Sequence, residues 1–188
     1  MNVYLDESGF TGDDLLQSDQ RVFVCASTTL ETADAQALLD ATIGPLPQSA
    51  TEHKHSRLVR TPSGQARVVA FIRELAATPK KAAYFTTFKR FAILAKLVDN
   101  WIEPAMFETG YDLYANAGAR AMANMLYFCL QGFEGETRFD ELLRSYHTFS
   151  RNYTDAGYQT FLNDVERFQA SARNPQSVDL YGYIIVAL

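Results

Sequence analysis

Met1-Asn-Val-Tyr-Leu-Asp-Glu-Ser-Gly-Phe-Thr-Gly12 begins the chain, and how this stretch is read decides the fold. Val3 and Leu5 alternate with Asn2 and Tyr4, a period of two that predicts a β-strand over about residues 2–7. Asp6 and Glu7 stand where that strand is expected to stop, and Ser8-Gly9 favour a turn after them. Carboxylates at a strand end are costly to bury unless something positive neutralises them, and a divalent cation does so well. Neighbouring strand side chains point to opposite faces. Glu7 therefore shares a face with Val3 and Leu5, and Asp6 with Asn2 and Tyr4, unless the turn begins between the two acids. The ordinary alternative is one carboxylate that makes the turn and one that is solvated.

Working outward, Arg21 to Leu30 is rich in β-branched and aromatic residues and predicts a second strand, and residues 81–88 a third. Between them Thr32 is expected to cap a helix through Ile43, ended by Gly44-Pro45-Leu46-Pro47. Thr61-Pro62 has the form of an N-cap followed by proline at the first helical position, before an apolar face of Val68, Val69, Phe71, Ile72 and Leu75. After Lys89 the pattern turns helical. Helices are expected over 92–107 with a disturbance at Pro104, over 111–133 with burial on more than one side, over 137–146 and over 154–172. A last element starts at Val178. The expected fold class is α/β, with three N-terminal strands in residues 1–90 and a large, mainly helical second half in 91–188, all in one domain. The run Tyr181 to Leu188 is apolar to its last residue, which reads as truncation of a longer chain or as a docked C-terminal element.

A chain of 188 residues can build one good core, and 47% hydrophobic with 21% charged residues is ordinary for a globular protein. No apolar run approaches the roughly 20 residues of a membrane span, and no basic region with an apolar core opens the chain. Cys25 and Cys129 lie in apolar segments and are expected to be free thiols, which points to the cytoplasm and to no membrane partner. The net charge of −5 weighs against a non-specific nucleic-acid binder but not against a metal-dependent nuclease, whose site is itself acidic. Cations gather in the first half, at His53, Lys54, His55, Arg57, Arg60, Arg67 and Arg73, then Lys80, Lys81, Lys89, Arg90 and Lys96. Nucleic acid, if bound, is expected along that half.

Beyond Asp6-Glu7-Ser8, the polar segment Glu52-His53-Lys54-His55 is the second candidate site. A glutamate and a lysine two apart can serve a metal and a phosphate together. Zinc is not supported, because further ligands at a recognisable spacing are missing. Lys89, at the end of the third strand, can reach a phosphate, or it is a solvated cation. Asp112, Asp140, Glu141 and Asp164 sit on helices, where acids are usually exposed, and His147 lies between aromatic residues. The cysteines have no neighbouring base, and no nucleotide-binding or hydrolase glycine motif occurs. Tyr111, Tyr114, Tyr127, Phe128 and Phe133 pack a core or form an interface between like chains.

Tyr4-Leu-Asp-Glu-Ser-Gly9 resembles the opening of the DUF3800 family, bacterial and phage-associated proteins judged to have a ribonuclease H-like fold. Glu52-His53-Lys54, Lys89-Arg90 and the segment Tyr111 to Asn116 also look like that family. The resemblance implies a ribonuclease H-like mixed sheet holding one or two Mg²⁺ or Mn²⁺ ions for phosphodiester cleavage in DNA or RNA. It makes Asp6, Glu7 and Glu52 the metal ligands and, with Lys54, the catalytic set. Ser8, His53 and Lys89 would contact substrate. The family usually continues into a further strand and a late acidic motif, for which this sequence has no equivalent before Leu188. That absence supports the rival expectation, a non-catalytic interaction module of a phage-defence or mobile-element system.

Overall fold

A computed structural model describes residues 2–12, 14–16, 19–48, 50–78 and 81–188. Asp13 of the first loop and Lys80 of the basic stretch lie outside the described residues. The chain is mixed α/β, with one three-stranded sheet and a mostly helical second half. It divides into two compact units, one of residues 1–8 and 24–86, the other of residues 9–23 and 87–188.

The sheet is built from β1 (Tyr4–Ser8), β2 (Val22–Thr28) and β3 (Ala82–Phe88), in the order β1-β2-β3. β1 runs antiparallel to β2, with Tyr4 opposite Thr28, Asp6 opposite Ala26 and Ser8 opposite Val24. At one end of the β2–β3 pair Thr29 N–H donates to the Lys81 carbonyl (2.9 Å), and at the other Lys89 N–H donates to the Arg21 carbonyl (3.1 Å). That pair is therefore antiparallel too, in a register that sets Ala26 opposite Tyr84 and Cys25 opposite Phe85. β1 runs one residue further than its alternation predicts and stops at Gly9, whose φ of +84° suits glycine. A Cβ there would lie 2.0 Å from the Val22 carbonyl oxygen, so the backbone crossing at this point excludes any other residue.

The helices of the first unit are α1 (Thr32–Thr42), α2 (His55–Leu58) and α3 (Pro62–Ala77). Glu31, not Thr32, occupies the N-cap of α1, and no side chain caps that helix. Thr61 caps α3 as its sequence suggests: its hydroxyl oxygen accepts from Gly64 N–H at 3.1 Å, and Pro62 follows in the first turn. Among the described residues of this unit only Leu30 and Ile43 are buried apolar side chains. Leu5 and Phe85 on one face of the sheet, and Tyr84 and Phe88 on the other, are exposed.

The second unit holds the core. It contains α4 (Lys89–Leu97), a π-helical turn (Val98–Ile102), α5 (Glu103–Glu108), a 3₁₀ turn (Ala115–Ala117), α6 (Gly118–Glu134), α7 (Glu136–Arg151), α8 (Asp155–Ala170) and α9 (Pro175–Ala187). Their inward faces, among them Leu94, Leu97, Leu126, Leu142, Tyr146, Phe161 and Ile184, form one apolar cluster. The disturbance expected at Pro104 takes the form of the π turn, which ends two residues before it. α4, the π turn and α5 run on without a break in helical backbone, so the proline stands inside the helix and lacks the N–H that would bond back into that turn. The long helix starts at Gly118 rather than Tyr111, because Asp112 Oδ1 accepts from the N–H groups of Tyr114 (2.8 Å) and Ala115 (3.2 Å) and turns the chain. α6 fully buries one stripe, Ala119, Ala123, Leu126, Leu130 and Glu134, and packs Met122, Met125, Cys129 and Tyr127 partly buried on either side of it. Gly135, with φ +86°, ends it, and Gly132 stays inside. α7 runs past its expected limits, and α9 starts at Pro175, capped by Asn174. Both cysteines are free and half-buried. Among the described residues no helix is long and apolar enough to cross a membrane.

Candidate functional site

Asp6 and Glu7 lie inside β1, two residues and one residue short of its end, and both are exposed. Since β1 is regular through Ser8, its alternation sends them to opposite faces of the sheet. Asp6 shares a row with Ala26 and, across β2, with Tyr84. Glu7 shares one with Cys25 and Phe85. Ser8 is exposed on the Asp6 face. The acids thus stand on a sheet edge beside exposed aromatic rings, in high dielectric, where a carboxylate stays solvated without a counter-ion.

Glu52 and Lys54 are brought together: Lys54 Nζ lies 3.2 Å from Glu52 Oε1, and both side chains are exposed. Such a surface pair contributes about 0–1 kcal/mol, so it orders the two heads more than it stabilises the fold. The segment is scaffolded from below. α2 follows Lys54 directly, Thr61 caps α3, and Gln65 Nε2 donates to the Val59 carbonyl at 2.9 Å. Gly64 lets the turn close, because a Cβ there would sit 1.8 Å from the Leu58 carbonyl oxygen. His53 is half-buried, with an Nε2 that finds no hydrogen-bond partner. Lys54, His55, Arg57, Arg60, Arg67 and Arg73 are exposed, and Arg67 also donates to the Ile43 carbonyl at 3.1 Å.

Lys89 opens α4 in the second unit and is not solvated. It is buried, and Nζ donates to Thr11 Oγ1 at 2.8 Å. It lines a cavity of about 160 Å³ with Gly9, Phe10, Leu15, Phe23 and Thr87. The sequence did not single out Thr11, although it lies two residues past the Asp-Glu-Ser-Gly run.

The metal ligands inferred from the resemblance, Asp6, Glu7 and Glu52, were tested against this geometry. Among the described residues no three His, Cys, Asp or Glu side chains converge closely enough to hold a cation. The carboxylates as placed do not compose a coordination shell.

The helical acids divide by role. Asp112 makes the turn before α6, Asp140 pairs with Arg90 at 2.8 Å, and Asp164 accepts from Ser145 Oγ at 2.6 Å and pairs with Arg167 at 2.8 Å. Of the five aromatics weighed as core or interface, Tyr127 and Phe133 pack against the core, whereas Tyr111, Tyr114 and Phe128 are exposed. Comparison with known proteins finds no family model, no curated protein and no solved structure that matches the chain.

Proposed function

We propose that the chain is a DUF3800-type, ribonuclease H-like nuclease that hydrolyses phosphodiester bonds in DNA or RNA with Mg²⁺ or Mn²⁺. The observation that carries this reading is Asp6, exposed on the first strand of an antiparallel sheet, in a strand closed by a glycine that the backbone crossing requires. The exposed Glu52–Lys54 pair beside an exposed basic stretch supports it, because phosphate contacts come from such cations. The test is cleavage of labelled single- and double-stranded DNA and RNA with Mn²⁺, by the wild type and by Asp6→Asn. Metal-dependent cleavage that disappears in the variant supports the reading. Cleavage retained in Asp6→Asn overturns it.

A second reading, a non-catalytic interaction module, is favoured by one observation: Leu5, Tyr84, Phe85 and Phe88 leave the sheet apolar and open on both faces. Large exposed apolar surfaces mark contact sites in folded proteins. Its occupant can be a second copy of this chain. Sedimentation that is independent of concentration counts against that version.

A further inference from the structure

α9 is apolar on more than the side it buries. Leu180, Tyr181 and Ile184 enter the core, while Val178, Tyr183 and Val186 stay exposed, Val186 at 84%. A helix that is apolar all round normally has neighbours all round. α9 packs on α5 and on the π turn, and a groove of about 840 Å³ opens between α9, α5 and the end of α8. Its α9 wall is two helical rows, Val178, Gly182 and Val186 beside Asp179, Tyr183 and Ala187, each with a spacing of four. From Val178 to Ala187 these rows rise about 13 Å, two to three turns. Ile102, Ala105, Met106 and Thr109 give the α5 wall the same helical spacing. Ala105, Gly182 and Ala187 carry little or no side chain, so another backbone can approach there, and Met106 fills irregular gaps.

The groove carries charge of one sign. Glu108 and Asp179 line it, both exposed, and among the described residues neither forms an ion pair. No lysine, arginine or histidine lines it. The sequence behind its walls is equally one-sided. Leu97 to Ala119 holds Asp99, Glu103, Glu108 and Asp112 and no basic residue, and Asn174 to Leu188 holds Asp179 and none. Unpaired carboxylates along an apolar surface are complementary to a cationic one. Tyr183 adds an exposed ring on which an ammonium or guanidinium can rest.

We propose that this groove binds one basic amphipathic helix of a partner protein, its apolar stripe against Met106, Val178 and Val186 and its lysines or arginines beside Glu108 and Asp179. Helix-in-groove docking uses anchors at i, i+3, i+4 and i+7, the spacing that both walls present. A two-fold contact of the groove with its own copy would set these carboxylates against each other, which costs binding. The assignment rests on neither reading of the function, because no lining residue belongs to the sheet or to the Asp6 and Glu52 segments.

The test is fluorescence anisotropy of a labelled leucine–lysine peptide, patterned as an amphipathic helix of about four turns and titrated with the full chain. A peptide of the same composition in shuffled order and a leucine–glutamate peptide of the same pattern are the comparisons. Saturable one-to-one binding is expected, about tenfold or more tighter for the patterned lysine peptide than for either comparison. Val186→Asp is expected to weaken it about tenfold although the new charge attracts lysine, and Glu108→Lys/Asp179→Lys to weaken it as much. Those three residues are exposed, so the circular dichroism of both variants stays that of the wild type. No binding by the folded wild type overturns the proposal. So does equal affinity for the shuffled peptide, which assigns the attraction to net charge alone, or an affinity unchanged in either variant. Self-association of the wild type that Val186→Asp abolishes also overturns it, by placing a second copy in the groove.

Discussion

Lys89 Nζ donates to Thr11 Oγ1 at 2.8 Å, and the Thr11 hydroxyl in turn donates to the Asp14 carbonyl at 2.6 Å. An ammonium that is 3% exposed thus rests on a neutral hydroxyl, where burial normally demands a carboxylate. This is a poor arrangement for stability and a good one for holding an anion. Thr11→Val is expected to lower stability by about 1–3 kcal/mol, because it leaves a buried donor without its acceptor. Lys89→Met keeps the volume and removes the buried charge, so it is expected to be neutral or stabilising in urea denaturation. If Lys89 meets phosphate, the same variant loses nucleic-acid affinity while gaining stability. A variant that loses stability and keeps affinity assigns Lys89 to the fold alone.

The exposed cations that follow Lys54 make a separate prediction. Arg57 and Arg60 reach solvent around α2, and each phosphate they neutralise releases counter-ions. Binding to a single-stranded oligonucleotide is expected to weaken as salt rises. The slope of log K against log[salt] is expected to shrink by about 0.7 for each phosphate that the variant no longer neutralises on a single strand. The double variant Arg57→Ala/Arg60→Ala, followed by fluorescence anisotropy at several salt concentrations, measures it. An unchanged slope removes this stretch from the interface.

The strands, the Thr61-Pro62 start of α3 and most helices of the second half were legible because each depends on local alternation, caps or apolar periodicity. The start of α6 was not. Its apolar pattern runs back to Tyr111, but the Asp112 side chain takes the N–H groups of Tyr114 and Ala115 and turns the backbone before the pattern can continue as helix. The π turn was hidden for a similar reason, since one extra residue in a turn leaves the composition of Val98 to Ile102 unchanged. At the candidate site, Asp6, Glu7, Glu52 and Lys54 were readable as residues. That the two acids face opposite ways was readable from the alternation of β1; that the strand continues to Ser8 was not, because register is set by pairing with β2. Thr11 carried no signal, as its role depends on a lysine 78 positions away.

Two buried phenols are expected to make stability fall at alkaline pH. Burial raises Tyr146 well above its ordinary value of 10.0, and burial with the Glu134 charge raises Tyr181 to about 12. The folded state therefore keeps protons that the unfolded chain releases. The stabilisation is complete below pH 10, the ordinary value, and is lost as pH rises through about 12 for Tyr181 and higher for Tyr146. Thermal unfolding followed between pH 8 and about pH 11.5 is expected to show falling stability over the upper part of that range. Tyr181→Phe is expected to flatten the decline. Tyr146→Phe also flattens it but lowers stability at neutral pH by about 1 kcal/mol, because the Tyr146 hydroxyl donates to the Lys96 carbonyl at 3.0 Å. An equally steep decline in the double variant assigns the alkaline loss to other groups.

Glu134 closes the helical unit from inside. Its side chain is fully buried, with Oε2 3.1 Å from Arg138 Nε and Oε1 accepting from Arg173 N–H at 3.1 Å. Arg138 also donates to the Ser171 carbonyl (2.9 Å) and the Phe168 carbonyl (3.1 Å), so one guanidinium ties α7 to the C-terminus of α8 and, through Glu134, to the end of α6. Removing one partner strands a buried charge, and Glu134→Ala is expected to cost about 3–5 kcal/mol. Replacing both with Glu134→Met/Arg138→Met removes the stranded charge but leaves the two α8 carbonyls without their donor, a remaining loss of about 1–3 kcal/mol. Urea denaturation of the two variants should therefore place the double replacement above the single one in stability. The reverse order would mean that the pair contributes more by its attraction than its burial costs.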